Sequence, residues 1–262
     1  MADSSSTRPT AVVTGALRGI GRQCAIGLAQ SGFNILLNDL ATDTAALPQQ
    51  LIMEIGNCGV ESTFFACDVA DLDQHTPLID AAVSQWGRLD CLVNNAGVGV
   101  AKRGDLLEVT AESFDHCIRV NTKAVFFLSQ AVARSMLQQG EIRGQHRSII
   151  NITSSNAVAV SISRSEYCVS KCASSMTTRL FGVRLAAKGI GVYEVRPGII
   201  DTEMTRPVKD KYDAVIAETV PARRWGLPVD VASTVRLMAE GHLRYTVGQA
   251  VTVDGGLTVP QF

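Results

Sequence analysis

In the stretch SRSEYCVSKCASSMTTRLFGVRLAA, Tyr167 and Lys171 stand four residues apart. On a helix that spacing stacks a phenol beside an ammonium group. A free tyrosine has a pKa of about 10 and is a poor acid or base near neutrality. A neighbouring cation favours the phenolate and moves the pKa toward working range, so the pair is a candidate proton donor with its tuner. YxxxK also occurs on many solvated helix faces, and it acquires meaning only from the motifs that accompany it.

Far upstream, AVVTGALRGIGRQCAIGLAQSG runs from apolar residues through Thr14 to Gly15, Gly19 and Gly21, and then into a helical pattern. The order is strand, tight turn, helix. Glycines there let the backbone approach a diphosphate, and the helix N-terminus offers free N–H groups and partial positive charge to it. The spacing departs from GxGxxG and fits TGxxxGIG instead. TGALRGIG, NNAG at Asn94 to Gly97, the Ser154/Tyr167/Lys171 set and RPG at Arg196 to Gly198 occur in one order over about residues 10 to 256. In that joint pattern the chain resembles the short-chain dehydrogenase/reductase family, and within it the 3-oxoacyl-carrier-protein reductases.

The resemblance implies nicotinamide chemistry and assigns expected positions to it. Gly15, Arg18, Gly19, Ile20 and Gly21 form the diphosphate loop. Asp39 lies 18 residues after Gly21, at the end of NILLNDL. A carboxylate there accepts from the adenosine ribose hydroxyls and repels a 2′-phosphate, favouring NAD. Arg18 argues the other way, since relatives often hold the NADP phosphate with a cation at that position. Asp68 and Val69 match the family's adenine contacts, although Asp68 could equally cap a helix. Asn95, Ala96 and Gly97 are implied cofactor contacts, with Asn94 a structural bracket. Gly198, Ile199 and Thr202, with Pro197 beside them, match positions over the nicotinamide. Asn121 is an awkward residue in the long helical pattern IRVNTKAVFF. The resemblance makes it the site of a helix distortion whose exposed carbonyl holds a water linking Lys171 to solvent. Of the adjacent Ser154 and Ser155, Ser154 is the better match, 13 residues before Tyr167. The implied catalytic set is therefore Asn121, Ser154, Tyr167 and Lys171, acting on a small-molecule carbonyl or secondary alcohol.

Those residues need a scaffold. A chain of 262 residues, 46% hydrophobic, can bury one substantial core. Short β-rich runs at 11–14, 34–39, 61–67, 89–94, 147–152, 190–196 and 250–254 alternate with helical patterns. That alternation predicts one doubly wound, Rossmann-type α/β domain over residues 10–262, with about seven parallel strands and ligands at their C-terminal edge. Residues 1–9 read as a flexible tail, and 201–224 as a long loop that could serve as a lid. The 166–187 helix carries apolar or small residues around much of its circumference, and the LTVPQF terminus is largely apolar. Both point to a homo-oligomer, most simply a D₂ tetramer.

With 24 basic and 25 acidic residues mixed along the chain, neither a nucleic-acid nor an acidic membrane surface is indicated. No apolar run reaches spanning length, and the seven scattered cysteines read as buried free thiols in a reducing, cytoplasmic compartment. The dispersed histidines and the Cys168/Cys172 pair give no metal-ligand spacing, so no metal is expected. A hydrolase on a similar sheet would need GxSxG, which is absent. A catalytically inactive dinucleotide sensor would be expected to have lost Ser154, Tyr167 or Lys171. For the substrate, a 3-oxoacyl group comes first and a sugar or polyol second.

Overall fold

The computed structural model describes residues 8–40, 46–140 and 144–260. Seven strands form one parallel sheet: β1 (Thr10–Thr14), β2 (Asn34–Asp39), β3 (Ser62–Ala66), β4 (Cys91–Asn94), β5 (Arg147–Ile152), β6 (Ile190–Pro197) and β7 (Ala250–Val253). Their order is β3-β2-β1-β4-β5-β6-β7. The order reverses direction between β1 and β4, which opens a crevice at the strands' C-terminal edge.

Strand residues alternate between two helical layers. Ala11, Val13, Ile35 and Leu37 face the layer of α1 (Gly19–Gln30), α2 (Ala46–Gly56) and the C-terminal helix Pro228–Ala239. Val12, Leu36 and Leu92 face α3 (His75–Trp86) and the helix Val125–Gln138. Burial on both faces explains why these strands read as unbroken apolar runs. At about 1.5–3 kcal/mol per buried large aliphatic side chain, this packing dominates the weak intrinsic preferences of four- to eight-residue segments. The helices between β4 and β7 are α4 (Ala111–Ile118), α5 (Val125–Gln138), α6 (Ser165–Leu185), α7 (Lys209–Thr219) and α8 (Pro228–Ala239).

Three expectations need correction. The 201–224 segment is not an extended loop, because a short 3₁₀ turn at Arg206–Val208 leads into α7. Tyr212 and Ile216, one helical turn apart, supply the buried stripe that makes a helix the better solution. The seven cysteines are all free, but only Cys24, Cys67, Cys91 and Cys117 are buried. Cys58 and Cys168 are half-buried and Cys172 is exposed on the outer edge of α6. Finally, α6 is amphipathic in an inverted sense. Its inner face is Ser170, Lys171, Ser174, Ser175, Thr177 and Thr178, and its exposed face carries Val169, Met176, Leu180 and Val183. Residues 1–7 of the expected tail, and Gln261 and Phe262 of the apolar terminus, lie outside the described residues. Among the described residues, no helix is long and apolar enough to cross a membrane.

Candidate active site

The glycine loop is held open by its neighbours. Thr14 Oγ1 accepts the backbone N–H groups of Asn95 and Ala96, each at 3.0 Å. Asn95 Nδ2 donates to the carbonyls of Thr14 (2.9 Å) and Gly15 (3.0 Å). Asn95 is thus a brace as well as a wall residue, and Asn94 is a brace as expected, donating to Asn151 Oδ1 (2.8 Å) and Ser129 Oγ (3.0 Å). Gly21 has a packing role: a Cβ there would overlap the Gly15 carbonyl and the Asn95 amide. At Gly97 a Cβ would stand 3.0 Å from Asn121 Oδ1 and 3.3 Å from Lys171 Nζ. The N-cap of α1 is Arg18, in extended conformation with no side-chain hydrogen bond to the helix, so the first N–H groups of α1 keep their donors for a ligand. A cradle of bare backbone ending in free helical donors suits the diphosphate of a dinucleotide.

At the end of β5, Ser154 Oγ accepts the Asn156 N–H at 3.1 Å, which leaves the hydroxyl hydrogen free to donate. Ser154 and the α6 residues Tyr167 and Lys171 line one cavity. The Lys171 ammonium donates to the Ile152 carbonyl (3.1 Å) and lies 5.7 Å from the centre of the Tyr167 ring. Burial pushes Lys171 down to about 8, opposed by the neighbouring Cys117 and the Glu194 carboxylate. Tyr167 departs from the expected tuning, because burial raises its pKa. The Ser154 hydroxyl and the charge of Arg164 oppose that rise. Arg164, whose Cζ lies 5.3 Å from the ring centre, is thus a second cation beside the phenol, in addition to Lys171.

Asn121 does sit in a helix distortion, a π-helical turn over Arg119–Ala124 between α4 and α5. Its side chain accepts from Val98 N (2.9 Å) and donates to Val98 O and Ser170 Oγ, each at 3.0 Å. The residue is wholly buried and its carbonyl accepts the Ser174 hydroxyl, where the resemblance implied an exposed carbonyl. In this form Asn121 pins the loop after β4 to α6.

A buried network behind the catalytic set escaped sequence reasoning. Glu194, in β6 and 1% exposed, accepts from Thr153 Oγ1 (2.6 Å), Ser175 Oγ (2.7 Å) and Arg196 Nε (2.7 Å). One carboxylate thereby ties the residue before Ser154, the residue one turn after Lys171, and the residue before Pro197. An acidic residue in the middle of the otherwise apolar strand VYEV was the signal available. Asn156, two residues after Ser154, and Arg164, three before Tyr167, were also missed.

The crevice holds a cavity of about 790 Å³. Its walls take in Gly15, Arg18, Gly19 and Ile20 from the first loop, Asn95 to Gly97 after β4, Pro197 to Ile199 after β6, and Thr202. Gly21, Asp39, Asp68, Val69 and Asn121 do not line it. Asp39 ends β2 at the same sheet edge, where its carboxylate accepts from Leu17 N (3.1 Å) and Leu40 N (2.9 Å). Asp68 Oδ1 accepts from Ala70 N at 2.9 Å, as a turn residue does, and the Val69 carbonyl bonds the His75 ring. Beyond Ser154 and Tyr167 the cavity is walled by Val160, Met204, Val215 and Leu257, with Arg103, Arg164, Lys211 and Tyr212. Among the described residues no group of three or more His, Cys, Asp or Glu side chains is placed to hold a metal.

A dinucleotide cradle leading to a serine, a tyrosine and a lysine around one apolar cavity defines an oxidoreductase dependent on a nicotinamide cofactor. Comparison with known proteins agrees. The family described as enoyl-(acyl carrier protein) reductase matches residues 15–258. A Staphylococcus epidermidis 3-oxoacyl-[acyl-carrier-protein] reductase is 35% identical over 248 residues, covering 95% of this chain and 98% of the relative. A 2-dehydro-3-deoxy-D-gluconate 5-dehydrogenase of Dickeya dadantii is 33% identical, covering 94% of each chain. The crystal structure of a Brucella melitensis 3-oxoacyl-[acyl-carrier protein] reductase in complex with NAD superposes with a TM-score of 0.92 at 40% identity, over 97% of this chain and 99% of the other. An Agrobacterium tumefaciens structure with bound NADP superposes with a TM-score of 0.84 at 30% identity, over 96% and 97%. The chain belongs to the short-chain dehydrogenase/reductase family, and it is an NAD(P)-dependent oxidoreductase acting on CH–OH or C=O groups.

Proposed function

We propose that this protein reduces the 3-oxo group of an acyl thioester, and that it prefers NAD(H). The observation that carries the reading is the apolar extension of the cavity past Ser154 and Tyr167, walled by Val160, Met204, Val215 and Leu257. A short acyl chain fits such a wall. When bound, the nicotinamide supplies the hydride. Tyr167 gives its proton to the substrate oxygen, and Lys171 supports the phenolate left behind and holds the nicotinamide ribose. Ser154 donates to the oxygen as charge develops on it. Arg18, Gly15, Gly19 and Gly97 hold the cofactor, with Asp39 at its adenosine end. The Staphylococcus and Brucella relatives, named as 3-oxoacyl reductases, support this choice.

A sugar or polyol dehydrogenase is the second reading, favoured by the basic side chains Arg103, Arg164 and Lys211 in the cavity wall. Turnover of nicotinamide followed by absorbance separates the two: acetoacetyl-CoA is expected to be the better substrate, and a sugar acid used with higher kcat/KM reverses the order. Titration with both cofactors tests Asp39. Tighter NAD binding is expected, and Asp39→Ala narrows the preference by removing repulsion at the 2′ position; tighter NADP binding by the unmodified chain refutes the assignment. We further propose a cytoplasmic homotetramer, for which the exposed apolar stripe on α6 is the support.

A further inference from the structure

Arg164 lines the cavity next to Tyr167, with its Cζ 5.3 Å from the centre of the Tyr167 ring. One arm of the guanidinium, Nη2, donates to Asn156 Oδ1. Asn156 is itself fixed, with its N–H on Ser154 Oγ (3.1 Å) and its Nδ2 on the Ala159 carbonyl (3.1 Å). The fork is therefore set at a defined place relative to Ser154 and Tyr167, the two groups that meet the reacting oxygen. Among the described residues its other donors have no acceptor. Nε is buried without a hydrogen-bond partner, and among the described residues no carboxylate pairs with Arg164. An unpaired buried donor is unfavourable in a folded chain unless a ligand supplies the acceptor. Arg103, by contrast, is engaged: its Nη2 donates to the Tyr212 hydroxyl (2.9 Å) and its Cζ lies 5.5 Å from that ring's centre.

We infer that Arg164 binds the substrate, donating to a second oxygen-bearing group separated from the reacting carbonyl by one carbon, and thereby selects 1,3-dioxygenated compounds over simple ketones. The acceptor is either a thioester carbonyl or a free carboxylate; a planar, permanently charged fork suits both. A phosphate at the far end of a carrier arm lies too many bonds from the reacting carbon to be this acceptor. The inference rests on the reading of the site as a carbonyl reductase.

Three substrates isolate the contact: acetoacetyl-CoA, acetoacetate, and butan-2-one, which lacks the second oxygen. Each is assayed with NADH and with NADPH on the full chain and on Arg164→Gln and Arg164→Lys. Arg164→Gln is expected to lose at least about tenfold more in kcat/KM on the preferred dioxygenated substrate than on butan-2-one, where only its charge beside Tyr167 is missed, the size of one lost charge-assisted hydrogen bond. Arg164→Lys should recover part of the loss. Preference for acetoacetyl-CoA identifies the thioester carbonyl as acceptor, and preference for acetoacetate the carboxylate. An equal loss on all three substrates overturns the inference, because Arg164 would then act only through Tyr167, and so does no loss on any. Calorimetric binding of 3-hydroxybutyrate to the NADH-loaded protein gives a readout independent of turnover. Binding that weakens at least about tenfold in Arg164→Gln, with no NADH oxidised on any substrate, keeps the inference and sinks the reductase reading. NADH oxidation with no selective effect of Arg164→Gln does the reverse.

Discussion

At Tyr167 two influences oppose each other: burial holds the phenol protonated, while the Ser154 hydroxyl and the Arg164 charge ease its ionisation. A protonated phenol is the form a carbonyl reduction consumes, so the balance suits a proton donor. Replacing Tyr167 with Phe removes the proton and should cut turnover at least about 10²-fold while cofactor affinity, measured by fluorescence titration, stays close to normal. Near-normal turnover in that variant would show that another group donates the proton. Lys171 adds a pH signature. With its pKa lowered to about 8, it carries its charge at neutrality and loses it as pH rises through 8. Carbonyl reduction, which draws on that charge, should fall along an alkaline limb near pH 8 in a kcat/KM profile; a profile flat through pH 9 would contradict it. At this scale the sequence disclosed Ser154, Tyr167 and Lys171, because their types and spacing follow from local geometry. It did not disclose Arg164 as a second cation beside the phenol, since that depends on how Asn156 after β5 and the turn before α6 fold against each other.

Elements position these residues through contacts that are partly local and partly remote. The first loop is the clearest local case: TGALRGIG was legible because its glycines are required by backbone approach. Gly21 offers a direct check. A methyl group there meets backbone and amide atoms that cannot rotate away, so Gly21→Ala should destabilise the fold by about 2 kcal/mol or more in denaturant titration and weaken cofactor binding with it. A change below about 0.5 kcal/mol would mean that the loop relaxes freely. The strands were legible to within a residue or two, the five inner ones because both their faces are buried. α7 was not, since its short apolar stripe of Tyr212 and Ile216 lies among charged residues and takes its partners from distant segments, Arg103 and Trp225 among them. The Glu194 network was hidden for the same reason, its four members coming from the residue after β5, from α6 and from β6.

For the whole molecule, the conspicuous feature is the outer face of α6, where Val169, Met176, Leu180 and Val183 are between 47% and 78% exposed. A contiguous apolar stripe of this kind marks an interaction surface, and a second copy of the same chain can cover it by two-fold symmetry. Light scattering at micromolar concentration is expected to give a tetramer, and Leu180→Glu with Val183→Glu to shift it toward smaller species. A monodisperse monomer of about 28 kDa from the unmodified chain would refute the assembly. The sequence carried the stripe's spacing but not its direction, because the hydroxyl-rich side of α6 turned out to be the side that packs inward.

The chain has two tryptophans, and they are placed very differently. Trp86 ends α3, donates to Glu61 at 2.8 Å and does not line the cavity. Trp225 lies edge-on to Tyr212 at 6.0 Å, donates to Asp213 at 2.7 Å and has Lys209 over its ring at 5.1 Å. Three residues of α7 thus set the polarity around one indole. With Trp86 changed to Phe, the emission wavelength of Trp225 becomes a built-in optical gauge of where α7 stands over the cavity, readable on a stopped-flow timescale without any attached dye.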